Sequence, residues 1–204
     1  ELQFDDAEDF SEGLACVAKD GKLGFIDKSG KMVIELQFDI AGDFSEGFAK
    51  VEKDGKYGFI DKNGKVVVEP QFDNAEPFSE GLAQVEKDGK YGFIDKNGKV
   101  VIELQYDYVG DFSEGLARVA KDGESTVSNL GFIIPHKMYG FIDKSGKVVI
   151  EPQFDEVRDF SEGLAQVEKD GKVGFIDKSS KVVIEIEPQF DYVGPFSEGI
   201  AKVL

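Results

Sequence analysis

The string FSEG occurs at residues 10–13, 44–47, 78–81 and 112–115, a spacing of 34 each time, and returns at 160–163 and 196–199 after steps of 48 and 36. A second string, GFID, begins at Gly24, Gly58, Gly92, Gly140 and Gly174. A period between about 20 and 50 residues marks an array of one supersecondary unit, each copy burying its apolar face against its neighbours. The repeat predicts one array over residues 1–204, with units 1–34, 35–68, 69–102, 103–150 and 151–186 and a half unit at 187–204. Most residues that resemble motifs are therefore architecture copied five times.

Within the unit 69–102, two turn signals separate apolar runs. Asp88-Gly89 follows 82–87, and Asn97-Gly98 follows 91–96. Glycine supplies the left-handed backbone that short hairpin loops require. Three antiparallel strands are expected, at 82–86, 91–95 and 100–103. Ala83 and Val85 alternate with Gln84 and Glu86, whereas the second and third runs carry apolar residues on both faces, as sheets stacked between neighbours do. No segment has an apolar period of 3.6, so the class is all-β. A connector at 70–79 carries Phe72 and Phe78, rings suited to filling the gap between successive sheets.

Two architectures suit such units. A propeller-like five-bladed ring is favoured, because the small residues of Gly-Leu-Ala-x-Val fit a crowded axis. An open superhelix of hairpins is the alternative, because five GFID hairpins and six FSEG segments do not close evenly.

Composition removes several functions. A hydrophobic content of 41% with 18 Phe supports a packed core. The net charge of −17 repels phosphate backbones and anionic lipid, which argues against nucleic acid and membrane insertion. Cys16 is the only cysteine, so no intrachain disulfide can form. It occupies a variable position, shared with Lys50, Gln84, Arg118 and Gln166, that is expected to face solvent. The chain begins at Glu1, partway through a unit and without a signal peptide, as expected of a processed or excised fragment; the compartment, cytoplasmic or exported, stays open.

Repeated carboxylates offer the most tempting chemistry. Asp27, Asp61, Asp95, Asp143 and Asp177 end the second strand, Asp39 and its copies follow Gln-Phe or Gln-Tyr, and Glu12 and its copies precede the Gly of FSEG. A ring of calcium sites would need six to eight oxygens per ion. No loop has calcium-binding spacing, and side chains of this kind cap turns and bond nearby amides, so no metal and no cofactor are expected. A glycosidase would need one asymmetric carboxylate pair, whereas each acid here has near-copies. His136 is the sole histidine, which leaves no histidine triad. The expectation is a non-enzyme.

The departures from symmetry are more informative. The fourth unit carries an insertion at 124–137, ESTVSNLGFIIPHK, entering the loop after Asp122-Gly123. Phe132, Ile133 and Ile134 are unusually apolar for a loop tip, and His136 follows Pro135. The segment reads either as a lengthened hairpin or as a partner-binding loop. In the fifth unit Ser180 stands where the other units have Gly30, Gly64, Gly98 and Gly146, at a cost of order 1 kcal/mol if the backbone there is left-handed.

The unit GLAxVEKDGKYGFIDKNGKVVIEPQFDxAxxFSEG resembles the bacterial WG, or KWG, repeat. The namesake Trp is replaced by Leu23, Tyr57, Tyr91, Tyr139 and Val173. The resemblance implies a structural or interaction module and brings no catalytic residues. A rigid scaffold for a protein partner is the leading expectation, with contacts at Phe132, Ile133, Ile134 and His136 and at the outward variable positions. The alternative is a carbohydrate or cell-envelope binding module, stacking glycan on Tyr57, Tyr91 and Tyr139. The hairpin core is also similar, over a short stretch, to choline-binding cell-wall repeats.

Overall fold

The computed structural model describes residues 3–123, 126–127, 133–134, 136–185, 193–197 and 200–203. The described residues are all β, in five four-stranded antiparallel sheets and two two-stranded ones. They fall into two compact units, Glu1–Leu104 and Gln105–Leu204.

Each repeat holds four strands rather than the three expected. In the second repeat these are Ile40–Ser45, Phe48–Lys53, Lys56–Asp61 and Val66–Phe72, hydrogen-bonded in that order. This meander is the strand order of a propeller blade. The extra strand comes from the connector, where Ala41 pairs with Val51 and Phe44 with Ala49. A register shift between these pairs lets a segment lacking clean alternation join the sheet. The same strand is as long in the fourth repeat, at Tyr108–Ser113, and shorter at Asp6–Ala7, Asn74–Ala75 and Glu156–Val157.

Three kinds of turn set the register. Asp20-Gly21, Asp54-Gly55, Asp88-Gly89 and Asp170-Gly171 have positive φ at both residues, the two-residue hairpin that suits strand twist. Glu12-Gly13 and its copies form a second such turn, closed by Ser11 and Leu14 donating backbone bonds to each other at 2.9 and 3.0 Å. FSEG is thus a hairpin turn, a role its polar centre conceals in the sequence. The third loop closes on its aspartate. Asp61 Oδ1 accepts from the amides of Asn63 and Lys65, both at 2.9 Å, as expected of a turn-capping acid.

The glycine of GFID has a different reason. Its φ is ordinary, but strand pairing slips beside it, from Tyr57↔Phe72 to Phe59↔Val68. A Cβ on Gly58 would lie 2.4 Å from the carbonyl oxygen of Val68 and 2.7 Å from the nitrogen of Pro70. Only a residue without a side chain allows the two backbones to approach so closely.

The core lies between successive sheets. One cluster joins Phe25 and Ile34 to Phe44, Val51 and Ile60; another joins Phe59 and Val68 to Phe78, Val85 and Ile94. In the second compact unit Phe141 and Ile150 meet Phe160, Val167 and Ile176. Within GFID the Phe therefore faces the following sheet and the Ile the preceding one, which explains why these strands are apolar on both faces. Phe72 and Phe78 of the connector are buried in these layers, as expected.

Candidate functional site

The residues most repeated in the sequence meet at the seams between sheets. Phe44 packs on Phe25 with ring centroids 4.9 Å apart, and Phe78 on Phe59 and Phe160 on Phe141 at 4.8 Å. The serine hydroxyl of one FSEG donates to the Phe carbonyl of the next: Ser11 to Phe44, Ser45 to Phe78 and Ser113 to Phe160, each at 2.8 Å. The glutamate reaches the next glycine, Glu12 accepting from the amide of Gly47 and Glu46 from that of Gly81, both at 3.0 Å. Lys62 and Lys96 sit 3.0 Å from the same two carboxylates. These glutamates thus bond across the seam, where the sequence suggested local amides. The hydrogen bonds from Lys62 and Lys96 hold the carboxyls of Glu12 and Glu46 below the usual range against the opposing effect of burial.

Asp39 and Asp73 make a second set of bridges. Each caps the following hairpin, through the amides of Asp54 at 3.1 Å and Asp88 at 2.7 Å, and each pairs with a lysine of the preceding repeat, Lys22 and Lys56. Those lysines lower both carboxyl pKa values. Among the described residues no group of three or more His, Cys, Asp or Glu side chains is placed to hold a metal ion.

The variable position of Gly-Leu-Ala-x-Val lies in the seams, not in open solvent. Cys16 is buried, and burial pushes its thiol up to about 12. Lys50 Nζ donates to the carbonyl of Ala75 at 2.8 Å and stands 3.9 Å from Glu76. Arg118 Nε bonds Asp159 at 2.5 Å. Gln84 and Gln166 are half-buried, and the Oε1 of Gln166 has no partner among the described residues. The solvent-facing expectation fails because the strand's outward face is covered by the connector strand of the next repeat, which lies more than twenty residues away in sequence.

The tyrosines at the namesake position are also half-buried. Lys50 Nζ lies 5.4 Å from the centre of the Tyr57 ring, and Tyr139 meets Tyr108 edge-on at 6.1 Å. Burial, then Glu52 and Glu86 respectively, raises the phenol pKa of Tyr57 and Tyr91.

The insertion lengthens the hairpin of the fourth repeat. Asp122 pairs with Lys137, Gly123 donates to the His136 carbonyl at 2.7 Å, and Thr126 pairs with Ile134 and Val127 with Ile133. Phe132 lies outside the described residues. The ring of His136 bonds Asp155 at 2.8 Å. Asp155 is the counterpart of Asp39 and Asp73; Met138 has replaced the lysine that would pair with it, and the histidine takes its place.

One seam differs in chemistry. Between the fourth and fifth sheets, Ser113, Arg118, Arg158, Asp159 and Ser161 line a cleft of about 390 Å³. Arg158 stands where the third repeat has Glu76, and its side chain has no hydrogen bond or ion pair among the described residues. The guanidinium of Arg118 lies 5.6 Å from the Tyr108 ring. Nothing in the repeat pattern marks this site, but composition does: of 24 basic residues, these are the two arginines.

The fold and its seams define a tandem β-repeat protein whose motif residues join one copy to the next. The model of the family described as "WG containing repeat" matches residues 1–22, 24–57, 57–91, 91–124, 139–172 and 174–204, and the chain belongs to that family. No curated protein matches it significantly. Among solved structures it is similar to the Pan2 WD40 domain of Neurospora crassa at 15% identity, covering 92% of this chain and 66% of that one, with a TM-score of 0.43. It is similar to Hsv2 of Kluyveromyces lactis at 11% identity, covering 85% and 60%, with a TM-score of 0.45. A Bacteroides caccae protein of unknown function aligns at 15% identity over 85% of this chain and 77% of that one, with a TM-score of 0.30. The chain thus spans less than two thirds of the length of the first two.

Proposed function

We propose that the chain is a non-catalytic scaffold, one array over residues 1–204, that holds a protein partner. The observation that carries this reading is the break in symmetry at the fourth repeat. A regular hairpin is extended there by a further two-stranded ribbon, and its base is fastened by the His136–Asp155 bond. Extra chain on a rigid frame is where binding function concentrates. Phe132, Ile133, Ile134 and His136 are the proposed contacts. The repeated acids support a structural rather than catalytic role, because each is engaged in a turn or a seam wherever its contacts are described above. Tyr57, Tyr91 and Tyr139 remain proposed secondary contacts. A glycan-stacking role suits them less well, since their rings are half-buried against neighbouring side chains, while stacking needs an open face.

The test compares the intact chain with a variant in which 124–137 is replaced by the short Asp-Gly loop of the other repeats. Affinity capture followed by mass spectrometry is expected to recover a partner with the first and to lose it with the second. Equal recovery by both would remove the insertion from the interface. A glycan array is expected to give no binding.

A further inference from the structure

We infer that the cleft between the fourth and fifth sheets is a carboxylate-binding site, and that its ligand is an acidic segment of a protein partner. The proposal rests on the scaffold reading for the source of the ligand but not for its chemistry. Its first support is composition. The chain carries 41 acidic residues against 24 basic ones, and its two arginines come from different repeats to line one cleft. A guanidinium presents a planar fork of donors that matches a carboxylate in two parallel bonds, which a lysine ammonium does not.

The second support is the comparison with the equivalent seam between the second and third sheets. There the cation, Lys50, is satisfied from within, by the Ala75 carbonyl and by Glu76. Between the fourth and fifth sheets the glutamate position is Arg158, so the internal anion has been replaced by a second cation. Asp159 occupies only the Nε of Arg118; its terminal nitrogens and the whole Arg158 guanidinium make no hydrogen bond among the described residues. Glu156, near Arg118 on the connector strand, is exposed and ties up neither arginine.

The third support is preorganisation. The Arg118 side chain is three-quarters buried, held by Asp159 and lying against the Tyr108 ring. Its fork is therefore fixed before a ligand arrives, which lowers the ordering cost of binding. Gly110 makes room for it: a Cβ there would lie 3.2 Å from Arg118 Nε. A peptide is favoured over an acidic glycan because the nearby Tyr108 and Tyr139 rings are spent on Arg118 and on each other.

The probe is a fluorescein-labelled peptide of alternating Glu and Gly, titrated into the intact chain and followed by anisotropy. Its Gln-Gly counterpart and an oligogalacturonate serve as the other arms. The acidic peptide is expected to bind and the neutral one not. Arg158→Gln, at an exposed position that leaves folding intact, is expected to weaken binding about tenfold or more, the loss of one charge-assisted bond. Arg158→Lys is expected to restore only part of it. Arginine side-chain N–H resonances should shift on titration. Binding that ignores Arg158→Gln, no binding at millimolar peptide, or binding of oligogalacturonate in place of the peptide would each overturn the proposal. Partner capture that survives Arg158→Gln but fails without 124–137 would leave the scaffold standing and remove this site. Arg158-dependent peptide binding without any captured partner would do the reverse.

Discussion

Phe10 and Phe78 occupy the same position of the same string, yet one is 47% exposed and the other 1%. The difference lies in what packs on each. Phe78 rests on Phe59 of the GFID hairpin before it, whereas among the described residues no aromatic ring lies against Phe10. The connector alanines repeat the contrast, with Ala7 exposed and Ala75 buried. A repeat of this chain therefore supplies only half of each apolar layer. The stabilising free energy resides in the seams, as in other quasi-one-dimensional arrays.

The strongest way to break this comparison is a matched pair of truncations. Phe78→Ala is expected to cost about 3–5 kcal/mol and Phe10→Ala less than ~0.5 kcal/mol, measured by urea denaturation. Equal effects would mean that the rings act within their own repeats. Gly58→Ala separates the seam from the sheet. Its Cβ would meet the Val68 carbonyl, not a neighbouring repeat, and a loss of about 3 kcal/mol is expected on the same assay.

Acid should act on the seams. Glu12 and Glu46, lowered by their lysine bonds, and Asp39 and Asp73, lowered in the same way, bind fewer protons folded than unfolded below their usual pKa values. Their contribution is complete above the ordinary carboxylate range of about 4 and is lost as pH falls through the lowered folded values. The denaturation midpoint should therefore drop on acidification below that range, and Glu46→Gln should flatten the dependence.

A smaller effect is expected at Ser180, whose φ of +66° confirms the left-handed turn. Ser180→Gly should raise stability by about 1 kcal/mol. Cys16 offers a readout with no stability change: buried in the first seam, its thiol should resist a disulfide reagent until the chain unfolds. Rapid modification of the native protein would show that seam to be open.

Much of this fold was legible. Asp-Gly and Asn-Gly pairs located two hairpins of the second and third repeats, and apolar residues on both faces of GFID announced stacking on both sides. The carboxylates read as turn caps because Asp61 needs only residues two and four positions ahead. The fourth strand was not legible, because 40–45 lacks alternation and joins its sheet through a register slip. The seam role of Glu12 was hidden too, since its partners Gly47 and Lys62 lie 35 and 50 residues away. Of the candidate sites, the insertion stood out as a break in period, while the arginine cleft depends on two residues 40 positions apart.

The repeating unit, its turns, three of its four strands and its all-β class follow from local backbone preference and from a pattern copied along the chain. Which side of each strand is covered, and which acids bridge repeats, depends on the packing of one sheet against the next. A period states that positions are equivalent; it does not say what lies across from them. That is fixed when one sheet packs on the next, and there Cys16, Lys50 and Arg118 pass from apparent surface to seam.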